Sequence, residues 1–445
     1  MLAFLNLGLL PDLPESLRGN CLFRKAVAAR TEQHCIESYA DFLGCKQEGK
    51  MLEQMSLAHS SQALYAMASE ASAVVLPYIN SAVGGNVQTF AMMQSVTSIS
   101  QVLGGLCFGH YADRFGPRWA LLTAHGAAMS SAILVASAQS RPSLFLAMMP
   151  LTLAHGFQAS GQIAVQCSEP EQRSVAMGRI SGSYGLGFFT GTLVTAYAAR
   201  LLLPRQIAWG AVALEASVLS TVLALYPSGE YSVEEPKPAA SFWEILQRPH
   251  VWSLVLSKLS TSAAGGMLLC MITQFAMDPF NFSTAQTSVL MAYVSGMQLL
   301  SQTFVVPHLG HLGPKALRLS SAGALLVPLL GLWASGSSAL GYCVWMGPLA
   351  ASGYGGNTAL GSLMSCLAPE SESGSMVALG LAPLSLGFML APIMSSWVYQ
   401  HFGFQAVPAV AAAMLCCATA AIEVLDSMDA EEESLELCDS DNEIS

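Results

Sequence analysis

GPRWALLTAHG at residues 116–126 returns as GPKALRLSSAG at 313–323. Each copy opens on Gly-Pro, carries a base at the next position, and runs on into small and apolar residues. Further along, Pro170-Glu171 is matched by Pro369-Glu370, and LGF at 186–188 by LGF at 386–388. The offset stays near 197–200, so one unit of structure is used twice in the same order. The chain around these copies is 53% hydrophobic and only 11% charged, against about 25% charge in a soluble domain. So few charges cannot coat a water-facing surface over 445 residues. A polytopic helical membrane protein fits this composition, and a soluble enzyme does not.

Twelve apolar stretches are long enough to span, since a span needs about twenty apolar residues. They lie at 54–82, 87–109, 117–139, 142–166, 175–200, 204–226, 251–277, 284–307, 314–335, 338–367, 374–400 and 404–425. The expected fold is an all-α membrane protein with twelve transmembrane helices in two parallel-repeat six-helix halves. The first half covers 54–226 and the second 251–425. Residues 227–250, rich in Pro and Glu, read as a solvated linker. Residues 1–53 read as an N-terminal extension.

The net charge of −11 belongs largely to one end. Nine of the 29 acidic residues fall in the tail 426–445, which has no base. Its composition is that of a solvated, disordered segment, with Ser434 and Ser440 as phosphorylation candidates and a tail partner left open. The remaining body is near neutral, which gives no footing for a nucleic-acid partner. With both termini cytoplasmic, the inside segments hold fourteen of the eighteen bases, a clear positive-inside bias. The eleven cysteines are scattered and show no metal-binding spacing, and they read as thiols packing like small hydrophobes. No cofactor or metal is expected. No GxxxxGK[ST] stretch occurs, so the chain carries no nucleotide-driven motor of that type.

The loop after the second stretch reads GHYADRFGPR, 109–118. It resembles the signature loop of the major facilitator superfamily, with Gly109, Asp113, Arg114, Gly116 and Arg118 in matching places. Glycines there let helix ends approach closely. Asp113 can face a helix N-terminus, where a carboxylate is favoured. The resemblance assigns these five residues to a cytoplasmic gate. Within that superfamily, residues 60–425 are similar to the organic-cation-transporter-like branch of the solute carrier 22 group. LGGLCFGHYAD at 103–113, His155, EPEQR at 169–173, Lys258, Met277-Asp278, Gln286, Leu290-Met291, Gln298, Gln302 and Asn357 carry the similarity. It implies transport of organic, often cationic, compounds, with exchange against protons. The chain departs from that pattern at Met148 and Phe388, where arginines are expected, and at Gly361 and Gly310, where aspartates are expected.

Ionisable and amide side chains inside spans are the candidates for chemistry, since such groups are costly there. Glu70 lies in the first stretch, about 18 Å from its outer end at about 1.5 Å per residue. No lysine or arginine at comparable depth in the first six stretches can hold it ionised. His155, Gln158 and Gln162 share one face of the fourth stretch at i, i+3 and i+7. If Glu70 and His155 face each other, they form a proton-linked pair. Gln94, Ser98 and Gln101 form a similar stripe in the second stretch, and Ser295, Gln298 and Gln302 in the eighth. Asn357 stands alone in the tenth. These stripes read equally as a lined path or as hydrogen-bonded glue between helices. Lys258 can snorkel to the inner face. Glu215, mid-way along the sixth stretch, reads as a packed acid with no assigned role.

The expected function is a secondary transporter moving a small organic solute by alternating access, with binding between the halves near mid-bilayer. Proton-coupled antiport is the sharper form of that expectation, and protons join the solute and the lipid bilayer as partners. A non-transporting receptor or scaffold on the same fold is the alternative from another class. Passive facilitation is the third.

Overall fold

The computed structural model describes residues 49–168, 173–226, 246, 248, 251–309, 312–366 and 373–443. Most of the expected linker 227–250, the extension up to residue 48, most of the EPEQR stretch and Gly310 therefore lie outside the described residues. All regular structure among the described residues is helical.

Helix α1 spans Gly49–Ala82. Asn86 then caps α2, Val87–Ser137, its side chain accepting from the Thr89 amide. Two of the expected spans fall within α2, which turns at Gly116 with φ 81 and ψ 170, a backbone region open in practice to glycine alone. Pro117 starts the second arm, where its missing N–H is no loss. Helix α3, Arg141–Met148, starts at the Ser140 cap and tightens into a 3-10 segment, Met149–Leu153. Helix α4, Gly156–Gln166, resumes beyond it. The fourth expected span is thus broken at Ala154–His155. Pro150, which lacks an amide donor, sits in the 3-10 turn that precedes the break. Helices α5, Arg173–Ala198, and α6, Pro204–Leu225, complete the N-terminal set.

The C-terminal set repeats this plan with different breaks. It comprises α7 (Val251–Leu269), α8 (Ile272–Met277), α9 (Thr284–Leu300), α10 (Val306–Leu309), α11 (Pro314–Ala334), α12 (Ala339–Cys366), α13 (Ser373–Phe402) and α14 (Ala406–Glu443). A π-helical turn, Ser301–Val305, joins α9 to α10. The tail expected to be disordered is instead the continuation of α14 up to Glu443. Its Ala, Glu and Leu residues are strong helix formers and carry the helix on.

Seven helices among the described residues are long and apolar enough to cross a membrane: Arg114–Ser137, Pro204–Leu225, Val251–Met277, Thr284–Leu309, Pro314–Ala334, Ala382–Phe402 and Ala406–Met428. The first, second, fourth, fifth and tenth expected spans fall short of that measure. These stretches carry Glu70, the Gln94 stripe, His155 and Asn357, or are rich in glycine and serine.

The two LGF copies have one structural meaning. Gly187 of α5 lies on the backbone of α1, and a Cβ there would overlap the Ala63 carbonyl. Gly387 of α13 lies on α7, where a Cβ would meet Ser262 Cβ at 2.7 Å and Ala263 N at 2.8 Å. Small residues at both places let helix pairs close on each other, which is how helices associate where lipid removes the hydrophobic drive. The glycines of the gate loop differ. A Cβ at Gly109 meets nothing within 4 Å, so close approach does not explain that glycine in this arrangement.

Packing differs between the two ends of the bundle. Where α1 ends, one apolar cluster runs through both sets, joining Val74, Ile79 and Phe90 to Met271, Phe275, Leu329 and Phe404. Where α1 begins, the core is divided. Met55, Phe108, Leu121, Ile163 and Tyr226 form one cluster, and Val251, Leu254, Leu317, Leu360 and Met364 form another. The two sets touch chiefly through α2 with α13 and α5 with α9, and more lightly through α1 with α8 and α9. Cys107, Cys416 and Cys417 face outward rather than packing inside.

Candidate functional site

The seam between the two helix sets gathers several of the expected residues. Gly187 and Gly191 press α5 onto α1 at Ala63 and Met67. Glu70 follows about one turn further along α1 and is 5% exposed. Its Oε2 has no hydrogen-bond partner among the described residues. Tyr184 from α5 and Tyr354 from α12 both lie within electrostatic reach of its carboxyl. The carboxyl is thus in the neighbourhood of a phenol from each helix set. Sequence reasoning passed over both tyrosines. The available signal was a tyrosine flanked by glycine inside a span, SYG at 183–185 and GYG at 353–355.

The proton-linked pair of Glu70 and His155 is not formed: no hydrogen bond or ion pair joins them among the described residues. His155 sits at the helix break, where its Nε2 pairs with the Thr152 carbonyl at 3.1 Å. Its ring lies 5.3 Å from that of Phe108. Gln158 is exposed and lies beside Gly105 of α2. Gln162 donates to the Ala112 carbonyl at 3.0 Å. This stripe faces the first arm of α2, and Gln162 serves there as glue.

The second-span stripe is glue of another kind. Gln94 donates to the Cys270 carbonyl at 3.2 Å across the seam, while the Ser98 hydroxyl lies 3.0 Å from the Gln94 carbonyl of its own helix and 3.4 Å from the Phe388 carbonyl across the seam. Tyr78 crosses it too, donating to the Phe282 carbonyl at 2.8 Å. Gln101 is exposed and lines a cavity. Gln298 keeps a buried Oε1 without a partner among the described residues, and Gln302 is half-buried in the π turn. Asn357 is satisfied inside the C-terminal set, accepting from Ser262 Oγ at 2.9 Å and donating to the Gly353 carbonyl at 2.9 Å. Both bonds stay within that set.

Lys258 does not snorkel. It is 4% exposed and its ammonium lies against Gly361, where a Cβ would come within 2.9 Å of Nζ. At the divided end, Arg114 stacks on Phe115 at 5.6 Å, and Arg118 donates to the Leu223 carbonyl at 3.4 Å. The Asp113 side chain lies outside the described side chains. Arg318, buried at 2%, donates to Glu423 at 2.8 Å, Asp426 at 2.7 Å and Ser253 at 2.8 Å. Asp426, read from sequence as the start of a free tail, is thus part of the helix bundle.

Glu215 is the largest surprise. It is paired with His125 of α2 at 2.6 Å, both fully buried. No local spacing could show this, because the partners lie 90 residues apart.

Comparison with known proteins bears on the fold as a whole. Residues 59–379 match the family described as Major Facilitator Superfamily. The chain is 28% identical to the mouse protein "Solute carrier family 22 member 18" over 349 residues, covering 74% of this chain and 85% of that protein. Among solved structures, a bacterial homologue of the human lysosomal transporter Spinster, inward-facing and unoccupied, superposes with TM-score 0.65 at 14% identity, covering 86% of this chain and 98% of that one. The nucleoside transporter NupG gives TM-score 0.66 at 15% identity, covering 85% of this chain and 99% of that one. An integral, multi-pass helical protein with a repeated plan and a family match over most of its length is a transporter by class, and the chain belongs to the major facilitator superfamily.

Proposed function

We propose that the chain carries a small organic solute across its membrane by alternating access, with residues 54–226 and 251–425 rocking as two six-span bundles. The observation that carries this reading is the core: continuous at one end of the bundle, divided at the other. Two rigid groups joined at one end and parted at the other are what a rocking transporter needs in a single state. Positive-inside bias puts the parted end, with both chain termini, on the cytoplasmic side. The inward-facing state of the Spinster homologue is in keeping with this.

Glu70, in the neighbourhood of Tyr184 and Tyr354, is the contact for a proton or a cationic group of the solute. A carboxyl with an unpaired oxygen at the seam can take either, and its surroundings change when the bundles rock. Gly109, Asp113, Arg114, Gly116 and Arg118 lie at or near the parted end and act as its gate. The test is uptake of labelled organic cations and neutral solutes by reconstituted vesicles, with and without a pH gradient. Transport of at least one compound is expected, with the response to the gradient abolished in Glu70→Gln. Transport by Glu70→Gln with unchanged pH dependence would make that carboxyl structural.

A further inference from the structure

Glu215 and His125 meet away from the seam, between the second arm of α2 and α6. Glu215 Oε2 stands 2.6 Å from His125 Nδ1, at 2% and 0% exposure. Glu215 also lines a cavity of about 160 Å³ within the N-terminal helices. Its other walls mix Ser69, Ser72, Thr97 and Ser131 with apolar residues such as Leu76 and Val135, and His125 is not part of the lining. Thr97 Oγ1 and His125 Nε2 are buried and lack hydrogen-bond partners among the described residues. A cavity of this size with polar groups on its walls and orphaned polar atoms beside it has room for water.

From this geometry we infer that Glu215 and His125 form a proton-binding centre of their own, reached from the cavity through Glu215 and distinct from Glu70. An acid and an imidazole in contact titrate as a unit. With one proton bound, the pair is neutral overall. In either arrangement, acid with imidazole or carboxylate with imidazolium, Nε2 then carries a hydrogen. When the proton leaves, Nδ1–H donates to the carboxylate and Nε2 is bare. The net charge becomes −1. The state of Nε2 therefore reports the load.

Titratable groups in the surroundings are Tyr65, Tyr184 and Glu70, the last next in sequence to the cavity-lining Ser69. Tyr65 of α1 sets its ring edge-on to His125 at 5.7 Å, and Tyr184 of α5 lies beyond it. The first arm of α2 brings only Gln94, Thr97 and Gln101, and the 3-10 segment after α3 brings Leu151. No lysine or arginine bonds either partner among the described residues. Unloading leaves a carboxylate that only the imidazole and water can answer. Tyr65 links the centre to the fourth-span break, since its hydroxyl donates to the Ala154 carbonyl at 2.6 Å, next to His155. Charging of the pair is thus felt where that helix is interrupted.

The test uses the full chain in lipid nanodiscs, with nitrogen-15 histidine spectra followed from acidic to alkaline pH, the proton being the only ligand needed. One histidine signal should switch at Nε2. It should vanish in His125→Asn, persist in Glu70→Gln, and shift its midpoint by about 1 pH unit or more in Glu215→Gln, as loss of a contacting carboxyl requires. If Glu215→Gln fails to insert, Glu215→Asp, one methylene shorter, tests the same contact. A His125 signal fixed in one form throughout, or a midpoint unmoved by either Glu215 variant, overturns the proposal. A pH response lost in Glu70→Gln assigns it to Glu70 and overturns this centre while sparing the seam reading. A normal His125 titration beside a Glu70→Gln transporter of unchanged pH dependence does the reverse.

Discussion

Gly116-Pro117 and Gly313-Pro314 open the two matched segments of the repeat, yet their backbones differ. Gly116 sits at φ 81, ψ 170, while Gly313 sits at φ −64, ψ 164, a conformation any residue adopts. Their anchors differ as well. The base after the first turn, Arg118, reaches one main-chain carbonyl. After the second, Arg318 and Lys315 reach the carboxylates Glu423 and Asp426 of α14. A repeat keeps where helices start and how they pack, as the paired glycines Gly187 and Gly387 show. It does not keep how the ends are tied. The first turn is held by backbone shape, the second by charge.

Substitutions at the two turns should separate these devices. Arg318→Ala leaves two partly exposed carboxylates without their buried cation and should cost about 3 kcal/mol, at the low end for breaking such a pair. Arg118→Ala removes one hydrogen bond and should cost about 1 kcal/mol or less. Melting of the purified proteins in detergent measures both, and equal losses would erase the contrast. Next in size, Gly116→Ala forces a Cβ into a region nearly closed to it, for about 1–3 kcal/mol. Gly313→Ala has ordinary dihedrals and open space, so its melting point should stay close to the parent's. The smallest effect on stability belongs to Gly109→Leu. Nothing lies near that position in this state, so the change should stay within about 0.5 kcal/mol. Because Gly109 stands at the parted end, the added side chain should obstruct closure and lower transport while melting is unaltered. Normal transport in this variant would mean that the loop anchors topology only.

Whatever depends on one stretch at a time was legible in the sequence. Glu70 stands out because a single carboxyl in an apolar window has no local explanation, and the LGF copies stand out because the same contact recurs. The break at Ala154 had a signal in Pro150, yet the stretch reads as a straight span. The stripe faces were legible, but their partners were not. Gln162 and Gln94 look alike in sequence, yet one bonds within its own helix set and the other across the seam. The Glu215–His125 pair depends on two helices meeting, and without that packing an acid in a span reads only as a burden. Asp426 looks like the first residue of an acidic tail because its cation, Arg318, is far away in sequence.

The ties across the closed end have a direction. Among the described residues, only the Tyr78–Thr287 bond joins two side chains there. Tyr78 and Gln94 give hydrogens to main-chain oxygens, those of Phe282 and Cys270, and the Ser98 hydroxyl stands 3.4 Å from that of Phe388. Every residue type has that oxygen, so changing the side chain at 270, 282 or 388 leaves the acceptor in place. Heredity thus bears unequally on the two sides of the joint. Missense changes can remove the ties to these three oxygens only from the N-terminal side, whereas the Tyr78–Thr287 contact can be lost from either side. A genetic screen for variants that loosen this end should recover positions 78, 94, 98 and 287 repeatedly, and positions 270, 282 and 388 only where bulk, not bonding, is altered.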